Sequence, residues 1–208
     1  VKVILPEVKM IYPLSKDQCR EILENIEQAS RVCYKSESNS EKLYDYLKDK
    51  IERGHESVIE HSMVTFRIIC DRGVSHELVR HRIASYSQES TRYCNYGKDK
   101  FGKELTFIKP CFWEEDSDEY VAWHDLCRAS ELTYLTLLNY GTTPQEARSV
   151  LPNSLKTEIV VTMNLREWRH FLKLRLSKAA HPQMREIAFM VFKNLKYNFG
   201  PIFFDLEE

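Results

Sequence analysis

Arg80-His81-Arg82-Ile83-Ala84-Ser85-Tyr86-Ser87-Gln88-Glu89-Ser90-Thr91-Arg92-Tyr93 gathers three arginines, a histidine, three serines, a glutamine and a glutamate into one short run. Charged side chains are almost never fully buried unless paired, so the run does not read as core. It is also an odd plain surface. Arg80, His81 and Arg82 crowd one another, and no acid before Glu89 lies close enough in sequence to relieve them. An anion would. The planar guanidinium fork suits phosphate, while serine hydroxyls and the Gln88 amide suit a neutral heterocycle or sugar. These residue types point to a phosphorylated, nucleotide-like ligand. The plainer reading is a helix C-terminus whose cations complement the helix dipole, followed by a serine-rich loop. Residue types alone do not separate the two.

Working outward, the pattern predicts short strands over Val1–Leu5 and Val8–Tyr12, where apolar residues flank Pro6. Ser15-Lys16-Asp17-Gln18 reads as a capping box opening a helix toward Val32. A second helix is expected from about Ser40 to Arg53, stopped by Gly54, with Leu43, Leu47 and Ile51 on one stripe. Val58 to Cys70 reads as a strand. Val74 to Ile83 reads as a helix that delivers the arginine triplet in its last turn. Residues Cys94 to Lys103 read as loop and Leu105 to Ile108 as a short strand. A long helix follows from Asp116 to Tyr140, ended by Gly141. Thr143-Pro144-Gln145-Glu146 starts another helix, Thr157 to Met163 alternates as a strand, and Asn164 caps a helix carrying Trp168, Phe171 and Leu172. A last helix runs from Pro182 to about Tyr197. With no repeat, linker or boundary, the 208 residues are expected to form a single domain over 1–208. The class is α+β, helices packed on a mainly antiparallel sheet.

The chain is 43% hydrophobic and 29% charged, yet its formal net charge is only −1. That balance disfavours a dedicated nucleic-acid-binding domain, which usually carries a basic excess. No CxxC or zinc-type His/Cys spacing occurs among the six cysteines, and no apolar run approaches the ~20 residues of a membrane span. We therefore expect reduced thiols in a cytoplasmic protein with no membrane or nucleic-acid partner. His55 and His61 invite a metal reading, but a HExxH site needs histidines four apart on one helical face, and these are six apart. The expected metal ligands are none.

The thirteen-residue pattern from Arg80 to Arg92, Arg-His-Arg-x-x-Ser-x-x-x-x-Ser-x-Arg, resembles the signature of the flavin-dependent thymidylate synthases, and every fixed position is met. Upstream, Gly54-His55-Glu56-Ser57-Val58-Ile59-Glu60-His61 is similar to that family's Gly-His-x-Ser-x-x-Glu-His segment. Downstream, Arg148-Ser149-Val150-Leu151-Pro152, Asn164-Leu165-Arg166, His170, Arg175 and His181-Pro182-Gln183 with Glu186 extend the resemblance. It covers about residues 50 to 195; the first fifty carry no comparable signature.

What the resemblance implies is specific. The chain would adopt the fold of that family and convert dUMP to dTMP, with 5,10-methylenetetrahydrofolate as carbon donor and NADPH reducing FAD. It would assemble as a homotetramer with sites at subunit junctions. FAD would meet His61, Met63, Arg80, His81, Arg82, Gln88, Asn164, Leu165, Arg166 and His170. The nucleotide would meet Glu77, Leu78, Val79, Arg80, Gln88, Glu89, Ser90, Thr91, Arg92, Arg148 and Arg175. Arg175 would be catalytic, stabilising an N3-deprotonated uracil. Glu77 departs from the glutamine typical at its position, and His170 departs from the family's usual residue. Ser90 looks like a nucleophile, but no adjacent base is identifiable and hydride delivery needs none, so its expected role is binding.

Spacing adds independent content. Arg166 and His170 are four apart and share a helical face that Lys173 extends. Arg175, nine after Arg166, falls about 180° around the helix and should meet a different partner. No GxGxxG occurs, so a Rossmann crevice is not the expected flavin holder. Two other classes remain, a nucleic-acid module using Arg80 to Arg92, disfavoured by the near-neutral charge, and a structural oligomer with an ionic interface. Neither explains four matching segments.

Overall fold

The computed structural model describes residues 1–33, 35–37 and 40–207. Six strands and eight helices alternate along it: β1 (Lys2–Ile4), β2 (Glu7–Met10), α1 (Lys16–Val32), α2 (Leu43–Glu52), β3 (Met63–Asp71), α3 (Arg72–Leu78), β4 (Ala84–Gln88), β5 (Thr106–Ile108), α4 (Asp118–Asn139), α5 (Pro144–Ala147), β6 (Lys156–Asn164), α6 (Leu165–Arg175), α7 (Pro182–Asn198) and α8 (Gly200–Phe203). A four-stranded antiparallel sheet has the order β2-β3-β6-β4, and β1 pairs with β5 in parallel. The α+β class holds. Among the described residues no helix is long and apolar enough to cross a membrane.

The chain divides into two compact units. The first comprises Val1–Glu7, Ile68–Arg80 and Ser87–Ile159. Its core joins Tyr96, Leu105, Phe107, Cys127, Tyr134, Ala147 and Leu155. The second comprises Val8–Arg67, His81–Tyr86 and Val160–Glu208. There Trp168 lies edge-on to Phe66 and Phe171, with ring centroids 5.1 and 5.5 Å apart, and its indole N–H donates to the Val64 carbonyl. Tying the indole N–H while burying both rings lets this aromatic cluster fix α6 on β3 without an orphaned donor.

Local signals explain most elements. Ser15 and Gln18 form the reciprocal capping box of α1, at 3.2 and 2.8 Å. Leu43, Leu47 and Ile51 are all buried on α2, and Gly54 takes the left-handed φ of +72° that lets the chain reverse after it. Three expectations are corrected. The predicted strand from Val58 begins only at Met63, because Glu56–His61 coils into a short helical turn that buries Ile59. Its end is fixed by a tertiary bond, Leu165 N–H to the Ser62 carbonyl at 3.1 Å, which local propensity does not encode. The helix predicted over Val74–Ile83 is α3, Arg72–Leu78, capped by Asp71 at 2.6 Å. It stops early, so Arg80, His81 and Arg82 follow the helix rather than decorate its last turn.

The third correction concerns the serine-rich run, read as loop. Ala84–Gln88 is strand β4, with Ala84, Tyr86 and Gln88 half-buried and Ser85 and Ser87 exposed. The alternation is present but its inward positions hold no large aliphatic side chain, so period-two patterning does not register.

Candidate functional site

The helix α6 organises the second unit's polar cleft. Asn164, at the end of β6, caps it by accepting the Glu167 N–H at 2.8 Å. Trp168, Phe171 and Leu172 turn into the core, which forces Arg166, His170 and Lys173 outward. They line a cleft of about 470 Å³ together with Asn164, Glu167, Glu56, Glu60 and Ile83. The sequence pattern brought Arg166, His170 and Lys173 to one face of a helix that Asn164 begins, and all four line the cleft. Glu56, Glu60, Glu167 and Ile83 were not singled out. Glu56 and Glu60 stood inside a quoted motif, and their pairing needs tertiary structure to be seen: Arg166 pairs with Glu60, and Lys173 donates to Glu56 at 2.9 Å. Burial pushes the Glu56 carboxyl up, but Lys173 and Arg169 outweigh it and hold the group below its usual range.

Arg175 meets a partner other than the one Arg166 meets, as its nine-residue offset implied. Its Nε–H donates to Nε2 of His81 at 3.1 Å. His81 is buried, packs on the Phe171 ring and lies 3.5 Å through Nδ1 from Glu167. Burial above all, then the charges of Arg175 and His170, pushes its pKa down to about 4, so the imidazole is neutral at pH 7. The Arg-His-Arg triplet is therefore not one exposed cationic patch: its middle member is buried and uncharged, while Arg80 and Arg82 are exposed.

Ligand atoms of His81, Glu167 and His170 lie within 4.8 Å of one another, a grouping the sequence gave no reason to expect. Its chemistry does not suit a cation. A guanidinium donates to Nε2, so the neutral ring must carry its proton on Nδ1, the atom that faces the cluster. His55 and His61, the histidines weighed from sequence, are both exposed.

In the first unit, Gln88 directs its amide N–H groups to Ser75 and Thr157, at 2.9 and 3.1 Å. Glu89 accepts from Lys156 at 2.7 Å and from the Tyr96 hydroxyl at 2.8 Å. Ser90 Oγ accepts the Arg92 N–H at 3.3 Å, shaping the turn, and Thr91 is buried. Arg92 is exposed, donates to Gln145 at 3.1 Å and lies over the Tyr93 ring. Arg148 is exposed just beyond α5. Leu78 is buried on α3, with Glu77 beside it and Val79 and Arg80 exposed after it. His61 and Met63 are exposed in the second unit and do not line its cleft; Leu165 is buried beneath it.

The fold and the cleft thus define an α+β protein that presents guanidinium, imidazole and ammonium groups along one helix, with Asn164 and Arg166 at its start, a donor set for an anionic or heterocyclic ligand. Residues 17–199 match the family model of the thymidylate synthase complementing protein. The flavin-dependent thymidylate synthase of Pyrococcus furiosus is 37% identical over 182 residues, 83% of this chain and 74% of that protein. The enzyme of the same name from Thermococcus kodakarensis is 37% identical over 186 residues, 85% and 75% of the two chains. That from Mycobacterium tuberculosis is 35% identical over 202 residues, 88% and 78%. The chain belongs to the thymidylate synthase complementing protein family.

The cleft's donors fit a flavin nucleotide. Its volume lies within the usual ligand range of about 300–1,000 Å³, and cationic Arg166 and Lys173 flank the imidazole of His170. Arg166 and its partner Glu60 are both about half exposed, and such surface pairs contribute only about 0–1 kcal/mol.

Proposed function

We propose that this chain is a flavin-dependent thymidylate synthase, catalysing reductive methylation of dUMP to dTMP. The carbon donor is 5,10-methylenetetrahydrofolate and NADPH is the source of reducing equivalents. The observation that carries this reading is the cleft at the start of α6, where Asn164, Arg166 and His170 converge in a chain of this family. FAD, when bound, supplies the hydride chemistry; the protein supplies orientation and electrostatics. Arg166, His170 and the N-terminal turn of α6 with Asn164 and Leu165 hold the cofactor. His61, Met63, Arg80, His81, Arg82 and Gln88 complete that set.

In the same reading Arg92 and Arg148 hold the anionic portion of dUMP, and Glu77, Leu78, Val79, Arg80 and Gln88 to Thr91 complete its pocket. Arg175 is the catalytic residue. Its guanidinium stabilises negative charge on uracil N3, which raises the nucleophilicity of C5. The two compact units work as one domain, in a cytoplasmic homotetramer with sites at subunit junctions.

The test is direct. Purified protein should be yellow, or become so with added FAD, and acid precipitation should release the flavin. Incubation with dUMP labelled with tritium at C5, methylenetetrahydrofolate and NADPH should release tritium to water and form dTMP. A protein that binds no flavin and releases no tritium defeats the proposal.

A further inference from the structure

Arg175 reaches His81, and His81 reaches a third group that none of the motif residues explains. Glu167 is buried, with its side chain 9% exposed, and its Oε1 lies 3.5 Å from Nδ1 of His81. A nearly buried carboxylate in the wall of a cleft is costly unless something compensates it. Burial raises its pKa, and the charge of His170 offsets part of that rise. The groups facing His81 are Glu167, His170, Arg175, the Phe171 ring and Tyr86, whose hydroxyl donates to the His81 carbonyl at 2.7 Å.

The donor inventory leaves one consistent protonation pattern. An arginine Nε–H can only donate, so the Nε2 facing it must be bare. A neutral imidazole then carries its proton on Nδ1, pointed at Glu167, the one arrangement in which carboxylate, ring and guanidinium all attract. With Nε2 as acceptor, the guanidinium is held through Nε and its terminal N–H groups are aimed elsewhere. We propose that Glu167 is a positioning residue that fixes the tautomer of His81 and, through it, the direction in which Arg175 presents its guanidinium to the nucleotide.

This rests on the nucleotide reading of Arg175 given above, but its first test does not. Intact protein labelled with ¹⁵N-histidine would be observed by magic-angle-spinning NMR, with His81 assigned by difference against His81→Gln. Wild type should show a protonated Nδ1 and a bare Nε2. Glu167→Gln should weaken this preference, because a neutral amide oxygen accepts the Nδ1 proton less strongly than a carboxylate, and the amide N–H, when turned to Nδ1, favours a proton on Nε2. Glu167→Asp, which keeps the charge, should restore the wild-type tautomer. Under the proposed activity, Glu167→Gln should lower kcat per bound flavin at least tenfold, and Glu167→Asp should recover most of it. A wild-type His81 protonated on Nε2 overturns the proposal whether or not any variant folds. So does a folded Glu167→Gln with unaltered tautomer and kcat. A shifted tautomer in a protein whose wild type makes no dTMP would leave the positioning role standing and defeat the functional reading alone.

Discussion

Arg166 and Arg169 lie three positions apart on α6, and each meets a glutamate of the same short turn, Glu60 for one and Glu56 for the other. On paper they are equivalent. Their surroundings are not: the Arg166 side chain is 50% exposed and that of Arg169 is 1% exposed. Arg169 adds a two-pronged bond to Asp205, at 2.7 and 2.8 Å, and donates to the Ile202 carbonyl, so it ties α6 to α8 and the segment after it. One ion pair is a structural clamp; the other leaves its cation within reach of a ligand. Burial, not pairing, assigns the roles.

The largest expected effect follows from the clamp. Arg169→Ala empties a buried site and leaves the Ile202 carbonyl without its donor, and cutting a large buried side chain to alanine costs about 2–5 kcal/mol. Urea unfolding should show that loss in the midpoint. A change below about 1 kcal/mol would put Arg169 in the same energetic class as exposed Arg166 and break the comparison.

Next comes His81, which is buried like Arg169 but held neutral. Its pKa falls from 6.5 in the unfolded chain to about 4 in the fold. Above pH 6.5 both states are neutral and its contribution to stability is complete. As pH falls toward 4, the unfolded chain takes up a proton that the fold refuses, and stability declines by on the order of 3 kcal/mol. Asp205, lowered by Arg169, adds a separate loss only as pH falls through the ordinary aspartate range and below. Unfolding free energy measured from pH 7 to 4 should slope in wild type and be much flatter in His81→Gln. Equal slopes would show that His81 is not the group responsible.

These contrasts also mark what the sequence could show. The face with Arg166, His170 and Lys173 was legible because helical periodicity puts them together and Asn164 announces the helix start. That Arg175 and Arg166 meet different partners was legible from the same geometry. The burial of His81 was not, because an Arg-His-Arg triplet looks uniformly cationic until Phe171 and Arg175 are seen around its middle member. Strand β4 was missed for a related reason: its inward positions are Ala84, Tyr86 and Gln88, and Gln88 is satisfied by distant Ser75 and Thr157. Partners supplied from across the fold are what local pattern omits.

Arg166→Ala sharpens the comparison from the exposed side. Its stability should change by no more than about 1 kcal/mol. If Arg166 holds an anionic part of the flavin, the lost charge-assisted bond is about 1.5–3 kcal/mol, at least a tenfold loss of FAD affinity. Flavin fluorescence titration beside thermal unfolding reads both quantities. A strongly destabilised variant with normal FAD affinity would exchange the roles of the two arginines.

The smallest effect is expected at Glu60, the partner that holds Arg166 when no ligand does. Glu60→Gln keeps size and hydrogen-bonding capacity but removes the charge that competes with an anion. Two unit charges about 4 Å apart in a water-like dielectric interact by about 1 kcal/mol, so FAD should bind up to roughly fivefold more tightly. Added salt should shrink the gain, because the groups involved are half exposed. Folding stability should move by a few tenths of a kcal/mol, as for other surface pairs. Affinity titrations at low and high salt measure both. A tenfold loss of FAD affinity would mean that Glu60 orients Arg166 for the ligand instead of standing in for it, and the exposed pair would then resemble the Arg169 clamp in kind.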